Sequence, residues 1–131
     1  MNDCAYVDEP SERELVGRYA VEVMQSMRPP PDNAREFHNA IEAALLRAGF
    51  SVRREAYVGI RESGRSRGAI DLLAQMNGEF VAIELDRRSP RAGSLDKLRA
   101  FNAYRIVVLR GAEPWSMERG IDAIISIEVQ K

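Results

Sequence analysis

The chain has 131 residues, 45% of them hydrophobic and 30% charged, with a formal net charge of −1. That size and composition fit one globular domain able to bury a core without disulfide or metal staples, and the balanced charge excludes a polycation that binds by bulk electrostatics. No apolar run approaches a membrane span, the N-terminus lacks the charged-then-apolar layout of a signal peptide, and the single cysteine, Cys4, permits no internal disulfide; a cytoplasmic protein with no membrane partner is therefore expected.

Residues 1–10 read as a disordered tail and 11–131 as a single domain. From Ser11 to Met27 the apolar residues Leu15, Tyr19, Val23, Met24 and Met27 recur at helical spacing, with Ser11 as N-cap and Glu14 as its capping-box partner. Pro29-Pro30-Pro31 ends that helix and acts as a stiff spacer. Asp32 or Asn33 caps a second helix reaching about Ala48, with Phe37, Ile41, Ala44 and Ala48 on one face and Gly49 as its stop. Ser51 to Ile60 reads as a strand, and the following Arg61-to-Gly68 stretch as an exposed loop or hairpin tip. Two more strands follow, about Ala69–Met76 and Glu79–Asp86, then a basic loop to Gly93. A short helix is expected over Ser94–Phe101, a buried strand over Arg105–Leu109, a last helical turn or two within Pro114–Gly120, and a final strand over Ala123–Val129. Consecutive antiparallel strands followed by an αβ crossover imply a mixed sheet with helices on its faces.

The most informative local feature is Asn77-Gly78 between two apolar, β-prone segments, a strong signal for a two-residue hairpin. That turn sets the register. Met76 pairs with Glu79, Gln75 with Phe80, Leu73 with Ala82, and Asp71 with Glu84, while Asp86 lies two residues further along the same face. Opposed side chains have Cβ atoms about 4.5–5.5 Å apart, and like charges there are destabilising unless a cation or a proton intervenes. Three carboxylates so placed suit a hard divalent cation, Mg²⁺ or Mn²⁺. The plainer alternative is that these acids face solvent or pair with arginines. Against it, Asp71 and Glu84 both interrupt apolar runs instead of decorating polar strands.

Charge is distributed around this centre. Arg61, Arg65 and Arg67 precede the acidic hairpin, and Arg87, Arg88 and Arg91 follow it. Cationic loops bracketing an acidic centre are the arrangement expected where a metal and a phosphodiester backbone meet, although each arginine alone is equally a solvated charge offsetting a local acid. His38, the only histidine, argues against a histidine-based metal site and reads as a helix-flank residue. Trp115 reads as a core or interface residue, and Gly64 and Gly68 lack the strand-to-helix context of a phosphate loop.

With these residues placed, the stretch from Glu36 to Leu109 resembles the PD-(D/E)xK nuclease superfamily. The resemblance is carried by Gly68-Ala69-Ile70-Asp71, by Val81-Ala82-Ile83-Glu84-Leu85-Asp86, and by the helix containing Ser94-Leu95-Asp96-Lys97-Leu98. It implies a restriction-endonuclease-like α/β fold, with a mixed β-sheet of about five strands flanked by helices. Asp71 and Glu84 match the two motif acids and would hold Mg²⁺ or Mn²⁺ with the Leu85 carbonyl. Glu36 matches the acid that many members supply from the preceding helix, with Glu42 as the alternative. The chain departs from the pattern where the motif lysine would stand, because that position is Asp86. Asp86 could bind a second metal or act as general base. The positive charge could instead come from Lys97, or from Arg87 or Arg88, which stabilise charge without accepting a proton. The implied activity is metal-dependent phosphodiester hydrolysis, with DNA as the expected partner and RNA open, and with the six arginines gripping the backbone. The alternative is a non-catalytic nucleic-acid-binding module on the same fold. Either would draw specificity from a homodimer or a larger complex.

Overall fold

The computed structural model describes residues 9–60, 67–111, 113 and 115–130. Its elements are α1 (Glu12–Gln25), α2 (Ala34–Arg47), β1 (Ser51–Ile60), β2 (Arg67–Met76), β3 (Glu79–Asp86), α3 (Ala92–Arg99), β4 (Tyr104–Arg110) and β5 (Ala123–Ile127). The tail expected over 1–10 lies outside the described residues except for Glu9 and Pro10. The loop expected after Ile60 lies outside them over 61–66.

Local sequence explains most boundaries. Ser11 accepts the Glu14 backbone N–H at 3.1 Å and Asn33 accepts that of Glu36 at 2.8 Å, so each helix begins where a side chain satisfies a free donor. Gly49, at φ +103°, turns the chain out of α2 in a conformation that disfavours any side chain. At the hairpin, Asn77 (φ 53°) and Gly78 (φ 79°) are both left-handed, as a type I′ turn requires.

The strands form one five-stranded sheet in the order β1-β2-β3-β4-β5. β1–β2 and β2–β3 pair antiparallel, whereas β3–β4 and β4–β5 are parallel, so this is the mixed α/β sheet expected. Parallel neighbours need a crossover, and α3 supplies it between β3 and β4. Between β4 and β5 no helix forms over Trp115–Gly120, contrary to expectation. That segment is held another way. Arg105 donates to the carbonyls of Arg99, Phe101 and Gly120, Asp122 accepts the Arg105 backbone N–H, and Gly120 is left-handed at φ +77°. Trp115 is 43% exposed, and its indole N–H donates to Glu118.

Helices cover both faces. On one, Val16, Ala20 and Met24 of α1 and Phe37, Ile41 and Leu45 of α2 pack on Leu72, Ala74, Val81, Ile83, Ile106 and Val108. On the other, Leu95 and Leu98 of α3 pack on Ile70, Ala82, Val107 and Leu109. Of the face expected for α1, Met24 is buried and Val23 and Met27 pack against the core, whereas Leu15 and Tyr19 are 50% and 40% exposed. Gly17 and Ala20 explain the difference. They let the helix backbone approach β4 so closely that a Cβ on Gly17 would lie 2.1 Å from the Tyr104 ring.

Candidate active site

The hairpin pairs as its turn dictates, Met76 with Glu79, Gln75 with Phe80 and Leu73 with Ala82, ending at Leu72 with Ile83. At the next position the ladder gives way to side chains. The Asp71 N–H donates to Glu84 Oε2 at 2.7 Å, and the Leu85 N–H donates to Asp71 Oδ2 at 2.7 Å. Each carboxylate therefore replaces a backbone carbonyl that the sheet would have offered. The other edge of β2 is interrupted at the same residue. Arg54 pairs with Leu72 and Ala56 with Ile70, leaving Glu55 beside Asp71 at φ 49°, a left-handed conformation rare for a residue with a long side chain.

This interruption turns the strands over. Strict alternation would keep Ile70 on the side of Leu72 and Ala56 on the side of Val52. Instead Ile70 and Ala56 pack toward α3, while Leu72 and Val52 pack toward α1 and α2. Asp71 stands at the crossing point.

On β3, Val81, Ile83 and Leu85 face α1 and α2, so Glu84 and Asp86 face α3. Glu84 has no exposed surface, and Lys97 Nζ of α3 lies 2.8 Å from its Oε1. The same ammonium donates to the Ala69 carbonyl at 2.9 Å. Oε1 is thus neutralised by an adjacent charge without a well-aligned donor. Burial, and next the charge of Asp71, push the Glu84 carboxyl above the ordinary carboxylate range, while Lys97 pulls it back.

A cavity of about 310 Å³ opens beside Asp71, lined by Ala34, Phe37 and His38 of α2, by Leu85, Asp86, Arg87 and Arg91, and by Arg110. It lies beyond the carboxyl ends of the parallel strands β3 and β4, where open α/β sheets present their ligand sites. Its three guanidinium-bearing residues are Arg87, Arg91 and Arg110, of which Arg91 pairs with Asp86 at 2.9 Å and Arg110 with Asp32 at 3.2 Å.

The expected site residues separate into three groups. Asp71, Glu84, Leu85 and Lys97 come together. Asp86 is adjacent but otherwise engaged: Oδ1 accepts from Arg91 Nε at 2.9 Å and Ser94 Oγ at 3.0 Å, and Oδ2 accepts the Arg91 backbone N–H at 3.0 Å. It closes the start of α3, so the described residues hold no cluster of three metal-ligating side chains. Glu36 is not brought in. Its carboxylate accepts from Asn33 Nδ2 at 2.6 Å in the helix cap, and Glu42, the alternative, is taken by Arg54. Of the arginines, Arg87 and Arg91 line the cavity, Arg88 is exposed outside it, and Arg61 and Arg65 lie outside the described residues. For Arg67 only the backbone, paired with Ile60, is described.

His38 is the residue that sequence reasoning missed. One turn beyond the start of α2, it lines the cavity with Asp71, and its Nε2 is enclosed with no hydrogen-bond partner among the described residues. Burial, and next Arg54, hold its pKa below the ordinary imidazole value, so near pH 7 it is neutral and has a lone pair to offer. Its place one position after Phe37, which anchors the buried face, was the available signal.

No protein-family model matches the chain, and a search of the curated proteins gives no match. The functional reading therefore stands on the geometry.

The donors are two carboxylates of the hard oxygen kind, of which Asp71 lines the cavity and Glu84 is fully buried against Lys97. Asp71 and Glu84 meet across the interrupted ladder, Glu84 Oε1 lacks an aligned donor, and the Leu85 carbonyl is close by in sequence. Mg²⁺ is commonly held by one or two carboxylates with waters filling the rest of its shell.

Proposed function

We propose that the chain is a metal-dependent nuclease that hydrolyses phosphodiester bonds in DNA, using the interrupted β2–β3 ladder as its active site. The observation that carries this reading is the exchange between Asp71 and Glu84, in which each acid takes the other strand's backbone N–H while an ammonium sits on the buried one. A fold that needed only a stable sheet would place apolar residues there, because a buried ionised pair seldom stabilises more than its hydrophobic equivalent. The resemblance to PD-(D/E)xK nucleases supports it, with Asp71 and Glu84 in the positions of the motif acids.

A Mg²⁺ or Mn²⁺ ion bound there would supply Lewis acidity and lower the pKa of a coordinated water. The chain's own residues divide the remaining work. Asp71 and Glu84 hold the ion, with the Leu85 carbonyl as a further donor. Lys97 offsets the charge of Glu84 and would counter negative charge developing on a phosphate at the site. His38 faces the same cavity as a neutral imidazole, and Arg87 and Arg91 grip the phosphate backbone without reading sequence. Titration calorimetry with Mn²⁺ tests this. One equivalent should bind the wild type and fail to bind Asp71→Asn, and a wild type that binds no Mn²⁺ or Mg²⁺ overturns the reading.

A second reading, a non-catalytic nucleic-acid-binding module, is favoured by one observation. Lys97 already compensates Glu84 internally, so the site is electrostatically tolerable without a cation. Duplex binding without turnover in saturating Mn²⁺ would decide for it. No helix among the described residues is long and apolar enough to cross a membrane, and a DNA partner, a homodimer and a cytoplasmic location belong to the proposal.

A further inference from the structure

Asp86 and Lys97 form two ends of one device. β3 runs from Glu84 to Asp86, and α3 then runs back over it, so that two rungs connect them: Asp86 to Arg91 and Ser94, and Glu84 to Lys97. The first rung ties down the start of the helix. Arg91, the N-cap residue, makes no capping bond with its own side chain, and α3 has no acid in its first turn. Asp86, 4% exposed, brings a carboxylate from the sheet to the Arg91 N–H and the Ser94 hydroxyl, placing negative charge at the start of the helix.

We propose that Asp86 is the positioning residue for Lys97, fixing the start of α3 so that the ammonium reaches Glu84 and the Ala69 carbonyl. This rests on the reading of the Asp71–Glu84 exchange as the active site. It reassigns the acid at the third motif position. Asp86 neither binds metal nor takes a proton from water, and both its oxygens are spent on building the helix that delivers the charge. The loop carrying Arg87 and Arg88 is fixed by the same contacts, since Asp86 and Arg91 bound it.

The chain makes the test clean, because Lys97 and Lys131 are its only lysines. Acylation of each by an N-hydroxysuccinimide ester is followed by mass spectrometry, with Lys131 as internal reference. In Asp86→Ala, Lys97 should react about fivefold to tenfold faster than in the wild type, the change in local opening that loss of a helix cap produces. Asp86→Asn, which keeps an acceptor for the Ser94 hydroxyl or the Arg91 N–H, should fall between them. Gly17→Ala loosens the opposite face and should leave the Lys97 rate near wild type, which separates positioning from general destabilisation. Unchanged Lys97 reactivity in both Asp86 variants overturns the proposal. So does loss of Mn²⁺ binding in Asp86→Asn, which would make Asp86 a ligand. If the wild type itself binds no metal, the nuclease reading fails while the labelling still decides whether Asp86 places Lys97.

Discussion

Glu84 and Lys97 set the energetics of the site. A carboxylate with no exposed surface next to another carboxylate is tolerated because one ammonium stands 2.8 Å away. The sign of the pH dependence follows. Burial raises the folded-state pKa of Glu84 above its unfolded value, so the folded form binds the proton more tightly. Stability from this group is fully present below the ordinary carboxylate range and is lost as pH rises through the raised folded value. Lys97→Met removes the larger of the two influences that limit this loss, the other being the Asp71 N–H bond to Glu84. It should cost about 3 kcal/mol at pH 8, in the range for stripping the partner from a buried charge, and clearly less at pH 4.5, where Glu84 can protonate. Urea denaturation at the two pH values measures it, and equal losses at both would refute the coupling. The register as far as Leu72 with Ile83 was legible from Asn77-Gly78 alone, because a two-residue turn leaves no freedom of register, whereas the side-chain exchange that replaces the ladder at Asp71 and Glu84 was not. The roles of Asp86 and His38 were not. Side-chain direction at the end of a strand depends on what the next helix needs, and α3 needed a cap.

At the scale of elements, the docking of α1 rests on small residues. A side chain at Gly17 would enter the ring of Tyr104, itself 9% exposed in the core. Gly17→Ala should therefore destabilise the protein by about 2 kcal/mol, the cost of overpacking a closed interface, although alanine favours helix over glycine. A Gly17→Ala variant as stable as wild type in equilibrium denaturation would show that α1 is loosely held. This contact explains why the N-terminal half of α1 departs from the expected face, while Val23, Met24 and Met27 pack as expected. Periodicity weights large apolar residues, and Leu15 and Tyr19 outweigh Gly17 and Ala20 although the small ones set the approach. Tyr19 instead stacks on Phe50 with ring centroids 5.8 Å apart. Strand limits fared better. β1 and β3 fall where alternation and turn residues put them, whereas the segment before β5 escaped because its hydrogen bonds go to Arg105 and Arg99, distant in sequence.

The whole molecule joins a polar fault in one sheet to a basic rim in a chain whose net charge is only −1. On the proposed function, affinity for nucleic acid comes from a local cluster, for which the cavity offers Arg87 and Arg91. If these meet phosphates, the logarithm of duplex affinity should fall linearly with the logarithm of salt, and Arg87→Ala should flatten that slope by about one unit. A slope unchanged by the substitution would place the nucleic acid elsewhere. The mixed architecture was legible from the order of elements, since antiparallel strands followed by a crossover admit few sheets. The fault itself was not, because no local propensity announces that β1 and β2 turn over together at Glu55 and Asp71. The most direct measurement is cleavage of a panel of single-stranded, duplex and branched DNA in Mg²⁺ or Mn²⁺, with wild type beside Asp71→Asn. Metal-dependent cleavage that EDTA and the substitution both abolish is the predicted result. Cleavage of no substrate by the wild type, or cleavage that survives Asp71→Asn, would contradict it.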